Sequence, residues 1–277
     1  IWSGDAAHGI PLQRPEEVSA DAALSRVEAA ARRERGTLQS IWGYEREWRD
    51  TTLGYAKNAP STQVSLIIDP SDGRLPPMTR HGASLVAAAA SAASQRGLPA
   101  GPEDLSTDDR CITRGLPGLM LPRVYNNGLQ IIQGPGYVAI QKEMVHETRV
   151  IPTTERPHLG ASLTQWLGDS RGHWEGETLV VEAINFNGKA PFRGSGESMR
   201  LIERYTRVGP TALEYTFTVD DSSIWVSSWT GMFHFGKDDD QYELVEYACH
   251  EGNYGLTGIL SGARATEREF EEAAANQ

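Results

Sequence analysis

Two neighbouring stretches, Met199 to Arg207 (MRLIERYTR) and Ala212 to Val219 (ALEYTFTV), repeat with a period of two. Leu201, Glu203, Tyr205 and Arg207 alternate with Ile202, Arg204 and Thr206, and Leu213, Tyr215, Phe217 and Val219 alternate with Glu214, Thr216 and Thr218. Successive side chains of a strand point to opposite faces, so the pattern predicts strands with one wet and one dry face. The Gly209-Pro210 pair between them is a turn, which makes the two strands antiparallel neighbours.

The same grammar extends over the second half of the chain. Leu129 to Gln133, entered through Asn126-Asn127-Gly128, opens a β block. The block continues from Gly134 to Asn187, where Tyr137, Val138, Ile140, Val145, Val150 and Ile151 suit a pleated surface. His173 to Val181 (HWEGETLVV) predicts a hairpin turning at Gly176. Further strands are expected at Ile224 to Trp229, Gly231 to Phe235 and Tyr242 to Cys249, with a hairpin tip at Lys237 to Asp240. Short strands joined by tight turns make an antiparallel meander, and closure into a barrel would remove its exposed edges.

The first half reads differently. Residues 1–17 form an extended lead-in, Ser19 to Arg35 a surface helix, and Ile41 to Trp48 a continuation anchored by Trp42, Tyr44 and Trp48. Val64 to Asp69 is a short strand ended by Pro70-Ser71-Asp72-Gly73, and Ser84 to Gln95 an Ala-rich helix preceded by His81. Gly97 to Asn127 is a long irregular connection pinned at Cys111. The chain thus divides into an N-terminal extended and helical arm (1–63), a β domain with an inserted helix and long loop (64–264), and a charged helical tail (265–277). At 277 residues it is one large domain with an added arm.

Charge removes one class of partner. Twenty-six Lys and Arg against 37 Asp and Glu leave −11, which opposes attraction to phosphate backbones, so nucleic acid is not an expected partner. No run approaches the roughly 20 apolar residues of a membrane helix. The chain starts at Ile1 without Met or an apolar leader, as expected of a processed or trimmed start. Cys111 and Cys249 are far apart and neither sits in a CxxC pair. They form either one disulfide or two buried thiols, and export favours the disulfide.

Several motifs together resemble a large family of exported bacterial proteins, most of which carry no assigned activity. Ile1-Trp2-Ser3, Pro11 to Pro15 (PLQRP) and Asp69 to Pro77 (DPSDGRLPP) match at the start. The strongest matches are Glu143 to His146 (EMVH), Arg156-Pro157-His158, Trp166 to Gly172 (WLGDSRG), Trp174 to Val181 (WEGETLVV) and Ala248 to Tyr254 (ACHEGNY). The resemblance spans nearly the whole chain. It implies a signal peptide and export to the periplasm or beyond, a lipocalin-like (calycin-type) β-barrel and a shared site, but it supplies no reaction.

Three clusters could carry chemistry. In the first, one continuous strand would put Glu143 and Glu147 on a face with Gln141 and Arg149, and His146 with Val138, Ile140 and Met144 on the apolar side, where an imidazole exchanges protons near neutral pH. The same residues also describe a histidine satisfied in the core. In the second, His250, Glu251 and Tyr254 follow Cys249, and Gly252 lets the backbone aim them at a barrel mouth; a C-terminal cap reads equally from them. The third runs from Asp169-Ser170-Arg171 to His173-Trp174-Glu175. There Asp169 is an acid or base and Arg171 an anion ligand, or the two form a structural ion pair. Asn127, Arg193 and Trp174 are added as substrate contacts.

No metal is expected, because no HExxH spacing occurs and His146, His158 and His250 would meet only through the fold. Gly194-Ser195-Gly196 lacks the GxSxG pattern of a serine hydrolase, and no helix follows Gly134-Pro135-Gly136 to bind phosphate. The expected function is cofactor-independent acid–base catalysis, of isomerase, lyase or cyclase type, on a small, partly apolar molecule inside the barrel, with His146 and His250 lining one hollow. The alternative is a carrier of a hydrophobic ligand in the same barrel.

Overall fold

The computed structural model describes residues 2–3, 10–14, 63, 65–122, 126–237 and 244–275. The helices expected at 19–35 and 41–48 and the hairpin tip at 238–240 lie outside them. Ten strands follow in chain order: β1 (Trp2–Ser3), β2 (Ile67–Asp69), β3 (Gly128–Gly134), β4 (Tyr137–Lys142), β5 (Thr148–Pro152), β6 (Asp169–Glu175), β7 (Thr178–Ile184), β8 (Arg200–Arg207), β9 (Ala212–Asp220) and β10 (Trp229–Lys237). Among the described residues two α-helices accompany them, α1 (Arg80–Gln95) and α2 (Tyr254–Ala275).

All strands belong to one antiparallel sheet in the order β5-β4-β3-β1-β10-β9-β8-β7-β6, with β2 pairing β10 off this path. The extended lead-in is therefore part of the β domain, since Trp2 and Ser3 fill the gap between β3 and β10. Pro11 and Leu12 accept hydrogen bonds from the N–H groups of Leu66 and Ile67, just ahead of and at the start of β2.

The sheet is rolled. Eight intervals of about 4.8 Å would hold β5 and β6 roughly 38 Å apart in a flat sheet. Instead, a Cβ placed on Gly172 of β6 would stand 2.9 Å from Ile151 Cγ2 of β5. The two edges touch, with no hydrogen-bonded ladder between them among the described residues.

Alternation decides what faces inward. Leu213, Tyr215, Phe217 and Val219 of β9 and Leu201, Glu203 and Tyr205 of β8 are buried, and their alternates are more exposed, as the period of two requires. On β10, Trp229, Phe233 and Phe235 are fully buried. The Tyr215 ring stacks on Phe217 at 5.7 Å and meets Phe233 edge-on at 5.3 Å between centroids. Gly231 is obligatory beneath Phe217, because a Cβ there would lie 2.4 Å from the ring. The hollow expected inside the barrel is occupied, over this stretch, by aromatic rings.

One polar group sits among these rings. Glu203 of β8 is fully buried and is bridged through both oxygens by Arg149 of β5. Its Oε1 also accepts the hydroxyls of Tyr205 at 2.8 Å and Tyr215 at 2.9 Å. The Arg149 charge and these hydrogen bonds compensate what burial costs the carboxylate.

Elsewhere the elements depart from expectation in understandable ways. Helix α1 starts at Arg80, four residues early, because Thr79 caps it by accepting the Gly82 N–H at 2.9 Å, so His81 lies inside the helix. The stretch 221–228 is a turn leading into β10, and residues 244–249 form no strand. The charged tail belongs to a 22-residue helix whose one buried residue among those described is Ala263. Cys111 and Cys249 form a disulfide with Cα atoms 5.7 Å apart, spanning 138 positions. No described helix is long and apolar enough to cross a membrane.

The buried pair is testable. Arg149→Met leaves Glu203 uncompensated and should cost about 3 to 5 kcal/mol in urea unfolding, whereas Arg149→Met with Glu203→Gln should recover part of that loss. A single substitution costing under about 1 kcal/mol would show the pair to be incidental.

Candidate functional site

The connection from β4 to β5 overturns the continuous strand expected there. The chain leaves β4 at Lys142 and makes a single 3-10 turn over Met144–His146, with Val145 at φ 61° and His146 at φ 54°, before β5 begins at Thr148. Two consecutive left-handed residues without glycine reset the alternation. Arg149 consequently faces the core, while His146 is exposed, with its Nε2 3.0 Å from the Gln141 amide nitrogen. Glu143 is buried and its carboxylate accepts the Gly128 N–H at 3.0 Å, which fastens the start of β3.

The other sequence candidates scatter. Asn127 is buried, and its backbone oxygen accepts from Lys142 Nζ at 2.7 Å. Arg193 is exposed in a left-handed turn, and Trp174 is 46% exposed near the β6–β7 hairpin. His250 and Glu251 are exposed just past the disulfide, and Tyr254, at the start of α2, is 82% exposed. The first two clusters nonetheless occupy one end of the molecule. Thr113 Oγ1 donates to Glu147 at 2.8 Å, two residues from the disulfide that carries His250, and Asn253 Nδ2 donates to the Asp109 carbonyl at 2.9 Å.

At that end Glu147 stands out. Burial pushes its carboxyl up to about 7, although the Thr113 hydroxyl and the charge of Arg149 both pull the other way.

The third cluster is the one that assembles, and on strands rather than in a turn. Odd-numbered residues of β6 face outward: Arg171 lies opposite Glu182 and His173 opposite Val180, and β8 adds Arg204 opposite Val180 and Ile202 opposite Glu182. The segment following β5 crosses this outer face. It is fastened by Arg171 Nε donating to the Pro157 carbonyl at 3.0 Å and by the Leu159 N–H donating to Asp169 at 2.8 Å. Between segment and sheet lies a cleft of about 430 Å³, lined by Arg156, Arg171, Arg200, Arg204, Glu155, Glu175, Glu182 and His173, with Val180 and Ile202 as its apolar part.

Its charges are tightly arranged. Asp169 is buried and pairs with Arg171, and its other oxygen lies 3.0 Å from His158 Nδ1. His158 Nε2 lies 3.3 Å from Glu182, which Arg200 holds from the opposite side. Beside it, Glu175 takes a bond from Arg204 at 2.8 Å and lies 3.2 Å from His173 Nε2.

These contacts set protonation. Burial raises the Asp169 carboxyl, but the Leu159 N–H, His158 and Arg171 outweigh it and leave the group below its ordinary value. Burial likewise opposes ionisation of Glu182, and Arg200, then His158, reverse it. Glu175 is lowered by the bonds from Arg204 and His173. All three carboxyls are thus ionised at neutral pH and poor proton acceptors. His158 has both nitrogens engaged by carboxylates. His173, whose side chain is 63% exposed at the edge of the cleft, has one nitrogen on Glu175 and its Nδ1 without a partner among the described residues.

Asp169 and Arg171 were legible as a pair in the sequence, and their ion pair forms. Glu182, Arg200 and Arg204 were not, because their signal is register: each is a charged residue on the wet alternate of a strand, and only strand pairing puts them beside His173. Among the described residues no group of three His, Cys, Asp or Glu is placed to hold a metal ion. No protein family, curated protein or solved structure matches the chain.

Glu147 yields a pH signature. A carboxyl raised by folding contributes its full stability below its unfolded value near 4.5 and loses it as pH climbs to about 7. Glu147→Gln, which stays neutral, should therefore gain on the wild type across that window, by about 3 kcal/mol at pH 8. Parallel stability curves for the two proteins between pH 4 and pH 8 would remove the assignment.

Proposed function

We propose that the chain is a cofactor-independent acid–base enzyme, of isomerase, lyase or cyclase type, and that it works on a small, partly apolar molecule in the cleft over β6, β7 and β8. The observation that carries this reading is the Arg204–Glu175–His173 series along the cleft, which ends in an imidazole whose Nδ1 has no partner among the described residues. A carboxylate on one ring nitrogen fixes the tautomer and orientation, and leaves the other to take or give a proton. His158, Asp169 and Glu182 frame the cleft and position its wall.

Small apolar side chains beside charged groups suit a substrate with an apolar body and a polar handle. Val180 and Ile202 supply the first and the arginines the second. The alternative of a carrier for a hydrophobic ligand draws no support from a cleft with four arginines, or from an interior filled with Phe217, Phe233, Phe235 and Trp229. The two touching sheet edges support a lipocalin-like barrel closed by side-chain packing. The disulfide agrees with export to the periplasm or beyond, and with the family resemblance read from the motifs.

Incubation of the protein with a bacterial metabolite extract, followed by mass spectrometry, tests the assignment. The wild type should deplete a compound that His173→Asn leaves at least 100-fold more slowly converted, with Glu175→Gln between them. His146→Ala and His250→Ala, both at the other end of the molecule, should behave as the wild type. Full turnover in His173→Asn would eliminate this site, and loss in His146→Ala would move the chemistry to the disulfide end.

A further inference from the structure

The cleft departs in charge from the molecule that contains it. The chain carries −11, yet the cleft is lined by four arginines and three glutamates. Three of those arginines are already matched with carboxylates: Arg171 with Asp169, Arg200 with Glu182 and Arg204 with Glu175. A guanidinium, however, presents more N–H donors than one carboxylate oxygen consumes. Arg171 bonds Pro157 through Nε and Asp169 and Ser170 through Nη1, and Arg204 bonds Glu175 through Nη2, so Arg171 Nη2 and Arg204 Nη1 make no bond among the described residues.

Arg156 completes the set. It stands on the segment that crosses the cleft, is exposed, and has no ion pair among the described residues. An unpaired guanidinium lining the same cleft as two others with open N–H donors suits an oxyanion, since planar forks match carboxylate and phosphate oxygens in pairs.

We propose that the compound bound in this cleft carries a carboxylate or phosphate group, held by Arg156 together with the open N–H edges of Arg171 and Arg204, with its apolar part against Val180 and Ile202. The inference rests on the cleft being the reaction site, and it names the substrate class of that site. Bound this way, the anion lies between the segment and the arginines of β6 and β8, on the same face as His173, the proton-transfer group.

The test uses the full chain and three one-ring probes at constant ionic strength: benzoate, phenyl phosphate and neutral benzyl alcohol. Binding is read by methyl NMR shifts of Val180 and Ile202. At least one of the two anions should saturate these shifts at no less than tenfold lower concentration than benzyl alcohol, and the better of the two identifies the head group. Arg156→Ala should weaken anion binding roughly tenfold, and Arg156→Lys less, because a lysine keeps the charge and loses the fork. His146→Asn, on the β4–β5 connection away from the cleft, should bind the anion as the wild type does. Equal affinity for benzyl alcohol, or unchanged binding in Arg156→Ala, overturns the proposal. Anion binding with no compound turned over in the extract would instead sink the reaction and leave the ligand class standing.

Discussion

The pairing of Arg149 with Glu203 is the constraint to which the rest of the architecture answers. These residues belong to strands six intervals apart in the sheet, roughly 29 Å if it were flat, yet their side chains touch. Only a rolled sheet lets an arginine reach that far, and only a rolled sheet shields the pair from water. Each condition requires the other. A buried ion pair gains little over well-packed apolar residues, but one partner without the other is costly. The pair therefore penalises unrolled or misregistered sheets more than it rewards the correct one, and two tyrosine hydroxyls leave Glu203 Oε1 no alternative acceptor role.

A core committed in this way has consequences for function. Tyr215 touches four other rings, and the inward face of β10 is aromatic at Trp229, Phe233 and Phe235. The charged cleft lies instead on the outer face, where the wet alternates of β6, β7 and β8 meet the segment that follows β5. The strands still do the positioning. Residues on paired strands are held within fractions of an ångström by the ladder, so a charged row across three strands is as rigid as the sheet itself.

How much of this was legible in the residues depends on which physical term decides each feature. The strands at 199–219 were readable because alternation is set by burial alone, and the β6–β7 hairpin because Gly176, at φ 60°, is the residue its turn requires. Arg149 was misplaced because nothing in Glu143 to Glu147 announces two left-handed residues; Val145 is a β-branched residue that avoids that conformation, and tertiary packing imposes it. Glu203 did leave a trace, as a carboxylate on the dry alternate between Leu201 and Tyr205. Its partner could not be inferred, since contacts across the roll depend on closure rather than on neighbouring strands. The same limit hid the cleft, whose members come from four separate stretches between Thr153 and Arg204.

The carboxyls of this protein divide according to where the arginines stand. Glu147 and Asp169 are both withdrawn from solvent, yet burial prevails at one and is overcome at the other. Arg149 is near Glu147, but its guanidinium is engaged by Glu203, so little is left to hold the Glu147 charge. Asp169, Glu182 and Glu175 each receive an arginine directly and stay ionised. Opposed shifts within one site would mark an acid and its base. Here the opposed shifts are at different ends of the molecule, so the carboxyls of the cleft act together as fixed negative charges. Such charges hold His158 and His173 by their ring nitrogens and occupy one side of each guanidinium they pair with, a role that a proton-accepting carboxyl would spoil.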